Sequence, residues 1–175
     1  QVAPEEPADS AEVVAPPEQT EASKRAKRLM TRADHALLVG DELTATAHLD
    51  TLAQEPELSA DTLLDLTERF HRVKASDRVA ATLERWKAQT INDITSPIAS
   101  ARAVVLGGGD ISVLKVLQNA RVSGNICGFE KLATSIDAMG KRVEALQFLD
   151  AAARKTTNCP DVAATMLEWL AHDGR

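Results

Sequence analysis

The sequence predicts an all-α fold, a right-handed α-solenoid of stacked helical hairpins that follows an extended N-terminal arm. Asn92, Asn125 and Asn158 recur every 33 residues. Apolar positions superpose under the same shift in several sets, among them Leu66, Ala99 and Leu132; Phe70, Ala103, Ile136 and Trp169; Val73, Leu106 and Met139; Ala80, Val113 and Leu146; Leu83, Val116 and Leu149. Within one unit, the first members of the first three sets, Leu66, Phe70 and Val73, have the spacing i, i+4, i+7, which places them on one face of an α-helix. A period in the low thirties with two such stripes per unit is typical of stacked helical hairpins.

The N-terminal arm, residues 1–22, is rich in Pro, Ala and Glu and contains no Lys or Arg. This composition cannot bury enough apolar surface to offset the entropy of ordering, so we expect an extended, polyproline-like segment. We interpret Glu5, Glu6, Pro16 and Pro17 as candidate partner-binding residues. The alternative is that the arm lies along the chain's own solenoid.

The charge of the chain is concentrated in this arm. Six of the 26 acidic residues lie there, which leaves 20 acidic residues against 20 Lys and Arg in residues 23–175. Nucleic-acid binding normally requires a basic field, which this balance does not favour.

The solenoid, residues 23–175, is predicted to begin with a helix over 23–38 that Ser23 caps. This helix is the most basic segment of the chain, and Lys24, Arg25 and Arg28 are its candidate partner-binding residues. We expect these side chains to bind phosphate or an acidic partner; the alternative is that they form a solvated face. Gly40 and Asp41 indicate a turn.

A second helix is predicted over 41–54, with Leu43, Ala47 and Leu52 directed inward. Three regular hairpins follow, each of two helices: 61–73 and 78–89, then 97–106 and 111–121, then 129–139 and 142–155. A single helix over 161–172 comes last. Asp61 is the expected cap of the first of these helices. Ser96 followed by Pro97 is a typical helix start.

The segment Gly107–Asp110 follows an apolar run and resembles a phosphate-binding loop. A dinucleotide loop would require a third glycine at position 112, which is Ser, and no P-loop lysine follows. The repeat register places this segment in the turn inside a hairpin, and we expect a turn.

No residue pattern indicates catalysis. The four histidines, at 35, 48, 71 and 172, are widely spaced, and no nucleophile has an evident partner base. We therefore expect no enzyme, no metal and no cofactor. No apolar run approaches the roughly 20 residues that cross a bilayer, so we also expect a soluble protein.

Cys127 and Cys159 fall near equivalent points of adjacent repeats. Stacked helices lie about 8–10 Å apart, whereas a disulfide needs Cα atoms within about 7 Å. We expect free thiols, with a disulfide as the alternative.

The two tryptophans, Trp86 and Trp169, are expected to be core anchors. The alternative is an exposed platform that binds a partner, and Trp169 is the last candidate partner-binding residue.

Residues 129–175 resemble a pentatricopeptide repeat followed by half of the next. The matching features are Met139-Gly140-Lys141-Arg142 before Val143-Glu144-Ala145-Leu146, and Cys159-Pro160-Asp161 before the last helix. The resemblance extends over 62–175, and the 33-residue unit is close to tetratricopeptide length. It implies a mitochondrial or chloroplast location and single-stranded RNA binding. The base-reading positions would be Ser100 with Gly128, and Ala133 with Asp161.

Together these observations favour a non-catalytic protein-interaction scaffold, an accessory subunit of a larger organellar complex. The last helix is expected to leave its outer face open to a partner. An organellar RNA-binding repeat protein is the alternative. A bacterial periplasmic tetratricopeptide-like protein with oxidised cysteines is a third hypothesis.

Overall fold

A computed structural model describes residues 20–91, 96–122, 128–155 and 159–173. Within these residues all regular secondary structure is helical and no strand occurs, which confirms the predicted all-α class. The helices are α1 (Glu21–Leu38), α2 (Glu42–Ala53), α3 (Ala60–Arg72), α4 (Ser76–Thr90), α5 (Pro97–Leu106), α6 (Val113–Val122), α7 (Phe129–Ala138), α8 (Arg142–Ala153) and α9 (Pro160–His172). None of these helices is long and apolar enough to span a bilayer.

Hydroxyl side chains cap the first turns of three helices. The predicted cap of α5 is confirmed, because Ser96 Oγ accepts a hydrogen bond from the Ala99 N–H at 3.2 Å. The predicted caps of α1 and α3 are wrong. Thr20 caps α1 and Ser59 caps α3. In both cases a hydroxyl residue two or three positions upstream allowed the helix to gain part of an extra turn.

The turns inside three hairpins are short, and each contains one residue in the left-handed conformation. These are Gly40 at φ +76°, Lys74 at φ +57° and Gly140 at φ +76°. The α5–α6 connection is longer and includes Gly108 at φ +82°. The segment Gly107–Asp110 is therefore a turn, as predicted, and α6 begins at Val113 rather than at residue 111.

Successive helices pack in pairs: α1 with α2, α3 with α4, α5 with α6, and α7 with α8. The pairs are connected mainly through α3, α5 and α7, because α5 contacts both α3 and α7. Helix α3 also contacts α7 directly, and α9 packs on α7 and α8. The facing sides of α3, α5 and α7 are thereby brought to one place.

The buried stripe of α2 differs from the prediction. Ala45, Leu49 and Leu52 are buried, whereas Leu43 is 83% exposed and Ala47 is also exposed. The spacing 45, 49, 52 is i, i+4, i+7, and residues 43 and 47 lie on the opposite side of that helix. Only Leu52 of the three predicted inward residues is correct.

In helix α4, an apolar position that the 33-residue shift aligns with Val113 and Leu146 lies outside the buried stripe. Val79, Leu83 and Trp86 form its buried stripe, and Ala80 is exposed. The larger side chains face the core because their burial removes more apolar surface from water.

Candidate functional site

The predicted partner-binding residues of the arm, Glu5, Glu6, Pro16 and Pro17, lie outside the described residues. The remaining candidates lie on two separate helices. Lys24, Arg25 and Arg28 are on α1, and Trp169 is on α9.

Helix α1 separates an apolar side from a basic side. Ala26, Leu29, Ala33 and Ala36 are buried. On the other sides, Lys24 Nζ lies 2.8 Å from Glu21 and Arg25 Nε lies 3.0 Å from Glu55. Lys27, Arg28 and Arg32 have no ion-pair partner among the described residues. This side of α1 is therefore an exposed cationic surface.

Trp169 is partly buried, in contrast to Trp86, which is a core residue as predicted. The Arg142 guanidinium carbon lies 3.8 Å from the Trp169 ring centroid, in a cation–π arrangement. Arg142 also reaches Asp137 and Asp173, each at 3.4 Å. Trp169 is thus held at the edge of a cleft of about 480 Å³ instead of in the core.

The outer side of α9 is apolar and uncovered. Val162 is the only buried residue that α9 contributes. Ala163, Ala164, Leu167 and Ala171 are exposed, and Leu167 is 64% exposed. Their spacing of i, i+1, i+4, i+8 gives one continuous stripe along the helix. We refer to these four residues as the α9 stripe.

A buried polar network connects α3, α5 and α7, and none of its members was among the predicted site residues. Arg102 on α5 is only 2% exposed. Its Nη2 atom donates to Asp65 Oδ1 at 2.6 Å and to Glu68 Oε2 at 3.3 Å, and its Nε donates to Ser135 Oγ at 3.1 Å. Ser135 Oγ also lies 3.0 Å from Glu68 Oε2. The network therefore joins three helices around one guanidinium.

Burial dominates the electrostatics of this network. The pKa of Glu68 is raised, because desolvation disfavours its carboxylate more than the positive charges of Arg102 and Arg72 favour it. At the margin of the network, Lys131 Nζ donates to Asp61 at 2.6 Å, and this hydrogen bond raises the pKa of Lys131. Among the residues that the structure describes on this face, the cations are matched by carboxylates, so these residues form no unpaired basic groove.

The 33-residue repeat contains one signal that indicates this network. Arg69, Arg102 and Ser135 occupy equivalent positions, each 33 residues apart. All three are polar residues next to an apolar stripe. Arg69 also pairs across helices, since it donates to both carboxylate oxygens of Asp34 at 2.7 and 2.8 Å.

The base-reading positions that the pentatricopeptide resemblance implies are not equally accessible. Ala133 is fully buried, whereas Asp161 is exposed and Ser100 is partly buried. Ala133 therefore cannot contact a base in this structure.

A cavity of about 470 Å³ lies beside the glycine turn. Val105, Ile136, Met139 and Phe148 supply apolar walls, and an Asp110–Lys141 ion pair of 3.4 Å lies at the rim.

Cys159 is disulfide-bonded, so the expected free thiol at this position is wrong. The chain contains one other cysteine, Cys127, which lies outside the described residues. The expectation used the distance between helix axes, and Cys159 instead lies in a connection that precedes α9. Distances between helix axes do not limit the separation of residues in connections.

Within the described parts of the chain, no three His, Cys, Asp or Glu side chains are grouped so that they could hold a metal ion. Comparison of the chain with protein-family models, with curated proteins and with solved structures found no match. The arguments for function therefore come from the surfaces described above.

Proposed function

We propose that the chain is a non-catalytic protein-interaction scaffold and an accessory subunit of a larger, organellar complex of the chloroplast or mitochondrion. In this proposal the hairpins form a right-handed α-solenoid of the pentatricopeptide or tetratricopeptide kind. The arm and the outer helical surfaces contact the partner subunits. The observation that supports this most directly is the α9 stripe.

A helix in a soluble domain normally turns its apolar stripe toward another element. Helix α9 packs on α7 and α8, and it contributes Val162 and the partly buried Met166 and Trp169 to the apolar core. Among the described residues nothing covers the α9 stripe. Another protein surface with a complementary apolar groove would remove Leu167 and its neighbours from water.

A second group of exposed apolar residues lies on the first two helices. Leu38, Val39 and Leu43 surround the α1–α2 turn and are 86%, 67% and 83% exposed. Three large apolar residues that are adjacent and exposed mark an interaction surface more often than single ones do. This group gives the scaffold a second contact region, next to the basic side of α1.

Site-directed crosslinking in the native cell tests the proposal. A photoreactive residue replaces Leu167, and the control carries it at Lys87, an exposed position on α4. We expect one defined set of proteins to be captured from position 167 and not from 87. We also expect Leu167→Asp to shift the native chain from a large assembly to the size of the free chain. Elution of the wild-type chain as a free monomer, without capture at 167, would contradict the proposal.

Single-stranded RNA binding is the alternative function, and Lys27, Arg28 and Arg32, which pair with no acidic group among the described residues, favour it. Filter binding with mixed single-stranded RNA distinguishes the two. Tight binding that weakens steeply with salt would support RNA recognition. The scaffold proposal predicts weak binding, because the face of α3, α5 and α7 carries matched charges.

A further inference from the structure

One side of α1 carries a row of exposed cations. Lys24, Arg28 and Arg32 follow one another at intervals of four residues and form one ridge of the helix. We call these three residues the cationic row. Together with Lys27 and Thr31 they line an open groove of about 510 Å³. The buried residues of α1 lie on the opposite side of the helix, so the row faces away from the core.

The same side of α1 becomes apolar at its C-terminal end. At about 3.6 residues per turn, His35 and Leu38 fall within about 40° of Lys24 around the helix axis. Leu38 and the following Val39 are 86% and 67% exposed, and Leu43 at the start of α2 is 83% exposed. The outer face of α1 is therefore cationic along about two turns and apolar where the helix ends.

The charges of this face change sign along the chain. Of the four cations that line the groove, only Lys24 has an ion-pair partner among the described residues, Glu21 at 2.8 Å. Beyond the apolar end, Asp41 and Glu42 are exposed. Hydrogen bonds with Thr44 lower the pKa of Asp41, so its carboxylate is charged at neutral pH. The face thus presents, in order, a positive, an apolar and a negative region.

This order of regions indicates what kind of partner fits. A nucleic-acid backbone or an anionic membrane could pair with the cationic row, but Asp41 and Glu42 would repel its phosphates at the apolar end. Helices α1 and α2 also contain no Phe, Tyr or Trp on which bases could stack. A protein segment in which acidic residues are followed by apolar ones complements both the charge and the apolar end.

A helical segment keeps such residues in register with the row. Residues four apart in α1 are separated by about 6 Å along the axis, and a second helix beside α1 places its own carboxylates at the same interval. A ridge of this kind packs into the groove of a neighbouring helix. An apolar turn at the end of the second helix would then cover Leu38 and Val39.

We propose that the outer face of α1 is a docking site for an acidic helix of a partner protein. Carboxylates of that helix pair with the cationic row, and its apolar turn covers Leu38 and Val39. This inference rests on the proposed scaffold function, because it assigns the chemistry of one partner surface. It does not involve the α9 stripe.

Fluorescence anisotropy with designed peptides and the full chain tests this assignment. The probe is a labelled helix of alanine and glutamine with glutamates at i, i+4 and i+8 and leucines at i+14 and i+15. A second probe has the reversed sequence, for antiparallel docking. The control peptide has the same composition, with its glutamates distributed around the helix. At low salt we expect one probe to bind about fivefold tighter than the control peptide, as a few exposed ion pairs allow. In 1 M salt the screening length falls to about 3 Å, and this preference should disappear.

Charge variants of the chain locate the site on α1. The row variant, Lys24→Gln with Arg28→Gln and Arg32→Gln, should weaken probe binding about tenfold. The matched control removes three exposed cations from other helices and turns: Lys74→Gln, Lys115→Gln and Lys155→Gln. We expect the control to bind the probe within about twofold of the wild-type chain, because its cations lie outside the site.

A second pair of variants tests the apolar end. Leu38→Ser with Val39→Ser should weaken probe binding about fivefold, because less apolar surface is then removed from water. The matched control, Ile91→Ser with Val143→Ser, changes two apolar residues that are 79% and 62% exposed elsewhere. It should leave binding unchanged. Thermal melts followed by circular dichroism verify that all variants are folded.

Several results would overturn the proposal. One is a row variant that binds the probe as tightly as its matched control. Another is tighter binding of mixed single-stranded RNA, or of vesicles with equal parts of phosphatidylcholine and phosphatidylserine, than of either probe. Self-association in sedimentation that the row variant abolishes would assign this face to a second copy of the chain.

Crosslinking from position 167 separates this inference from the scaffold proposal. Capture at 167 without preferential probe binding would contradict the α1 site alone. Probe binding without capture at 167, by a chain that elutes as a free monomer, would contradict the scaffold proposal and support the chemistry assigned to α1.

Discussion

Replacement of Arg102 by methionine tests how strongly the buried network holds α3, α5 and α7 together. Methionine retains most of the apolar stem and removes the guanidinium, which contacts Asp65, Glu68 and Ser135. The variant leaves the Glu68 carboxylate in a buried position without its closest cation. The other nearby cation, Arg72, is 4.0 Å away.

The expected loss follows from the burial of the two carboxylates. Breaking a buried ion pair by removing one partner costs about 3–5 kcal/mol, because a buried charge is left uncompensated. Asp65 contributes little to this loss, since its side chain is more than a third exposed and water can solvate it. Glu68 is almost fully buried and accounts for most of it. We predict a loss of about 3 kcal/mol at pH 7, at the lower end of that range.

The loss should depend on pH in a defined direction. The pKa of Glu68 is already raised by burial, and removal of Arg102 raises it further. Below the pKa of glutamate in the unfolded chain, about 4.5, Glu68 is protonated in both states and the penalty is absent. As the pH rises through the folded pKa, the penalty develops in full. The difference from wild type should therefore be larger at pH 7 than at pH 4.5.

Urea unfolding followed by circular dichroism measures these differences. The control variant Arg154→Met removes an exposed ion pair with Asp150 and should change stability by less than about 0.5 kcal/mol. The double variant Arg102→Met/Glu68→Leu should recover more than half of the loss, because no unpaired buried charge remains. A loss below about 1 kcal/mol at pH 7, or a double variant as unstable as Arg102→Met, would refute this account of the network.

Three further predictions concern the turns, a cap and the disulfide. Lys74→Gly should stabilise the chain by about 1 kcal/mol and Gly140→Ala should destabilise it by a similar amount, because both positions have positive φ. Urea unfolding measures both changes. A less stable Lys74→Gly variant or a more stable Gly140→Ala variant would contradict the prediction. Ser96→Ala should lower stability by about 1 kcal/mol through loss of the α5 cap, whereas Ser96→Asp should retain it. Cys159 should resist thiol reagents in the unfolded, unreduced chain and react after reduction, and reduction should lower the melting temperature, since a disulfide contributes about 2–4 kcal/mol; labelling of Cys159 before reduction would disprove the bond.

Local signals predicted the order and the bounds of the helices well. The bounds of α5 agree with the prediction at both ends, because Ser96 and Pro97 define its start and Gly107 begins the turn after it. Helix α2 was located correctly, but its buried side was not. Its apolar residues are distributed around the helix, so both the 43/47 side and the 45/49/52 side were compatible with the sequence. Only packing against α1 and α3 distinguishes them.

The polar network could not be derived from local signals, because its members come from three helices. Glu68 and Ser135 are 67 residues apart, and both are polar residues that a hydrophobic pattern leaves on the surface. The repeat register shows that Arg102 and Ser135 are equivalent, which predicts that they are neighbours in a stacked array. It does not show that both are buried, since that depends on the direct contact of α3 with α7.

That contact also bears on which surfaces remain for a partner. A repeat protein that reads RNA presents accessible polar side chains from successive first helices. Here the side chains of Arg102, Glu68 and Ser135 bind one another, and Ala133 is buried. Exposing them to a ligand would break buried ion pairs, at a cost that a few base contacts would not offset. The exposed cationic side of α1 and the α9 stripe can both bind a partner without this cost. A partner that spans both could gain affinity from each contact without disturbing the network between them.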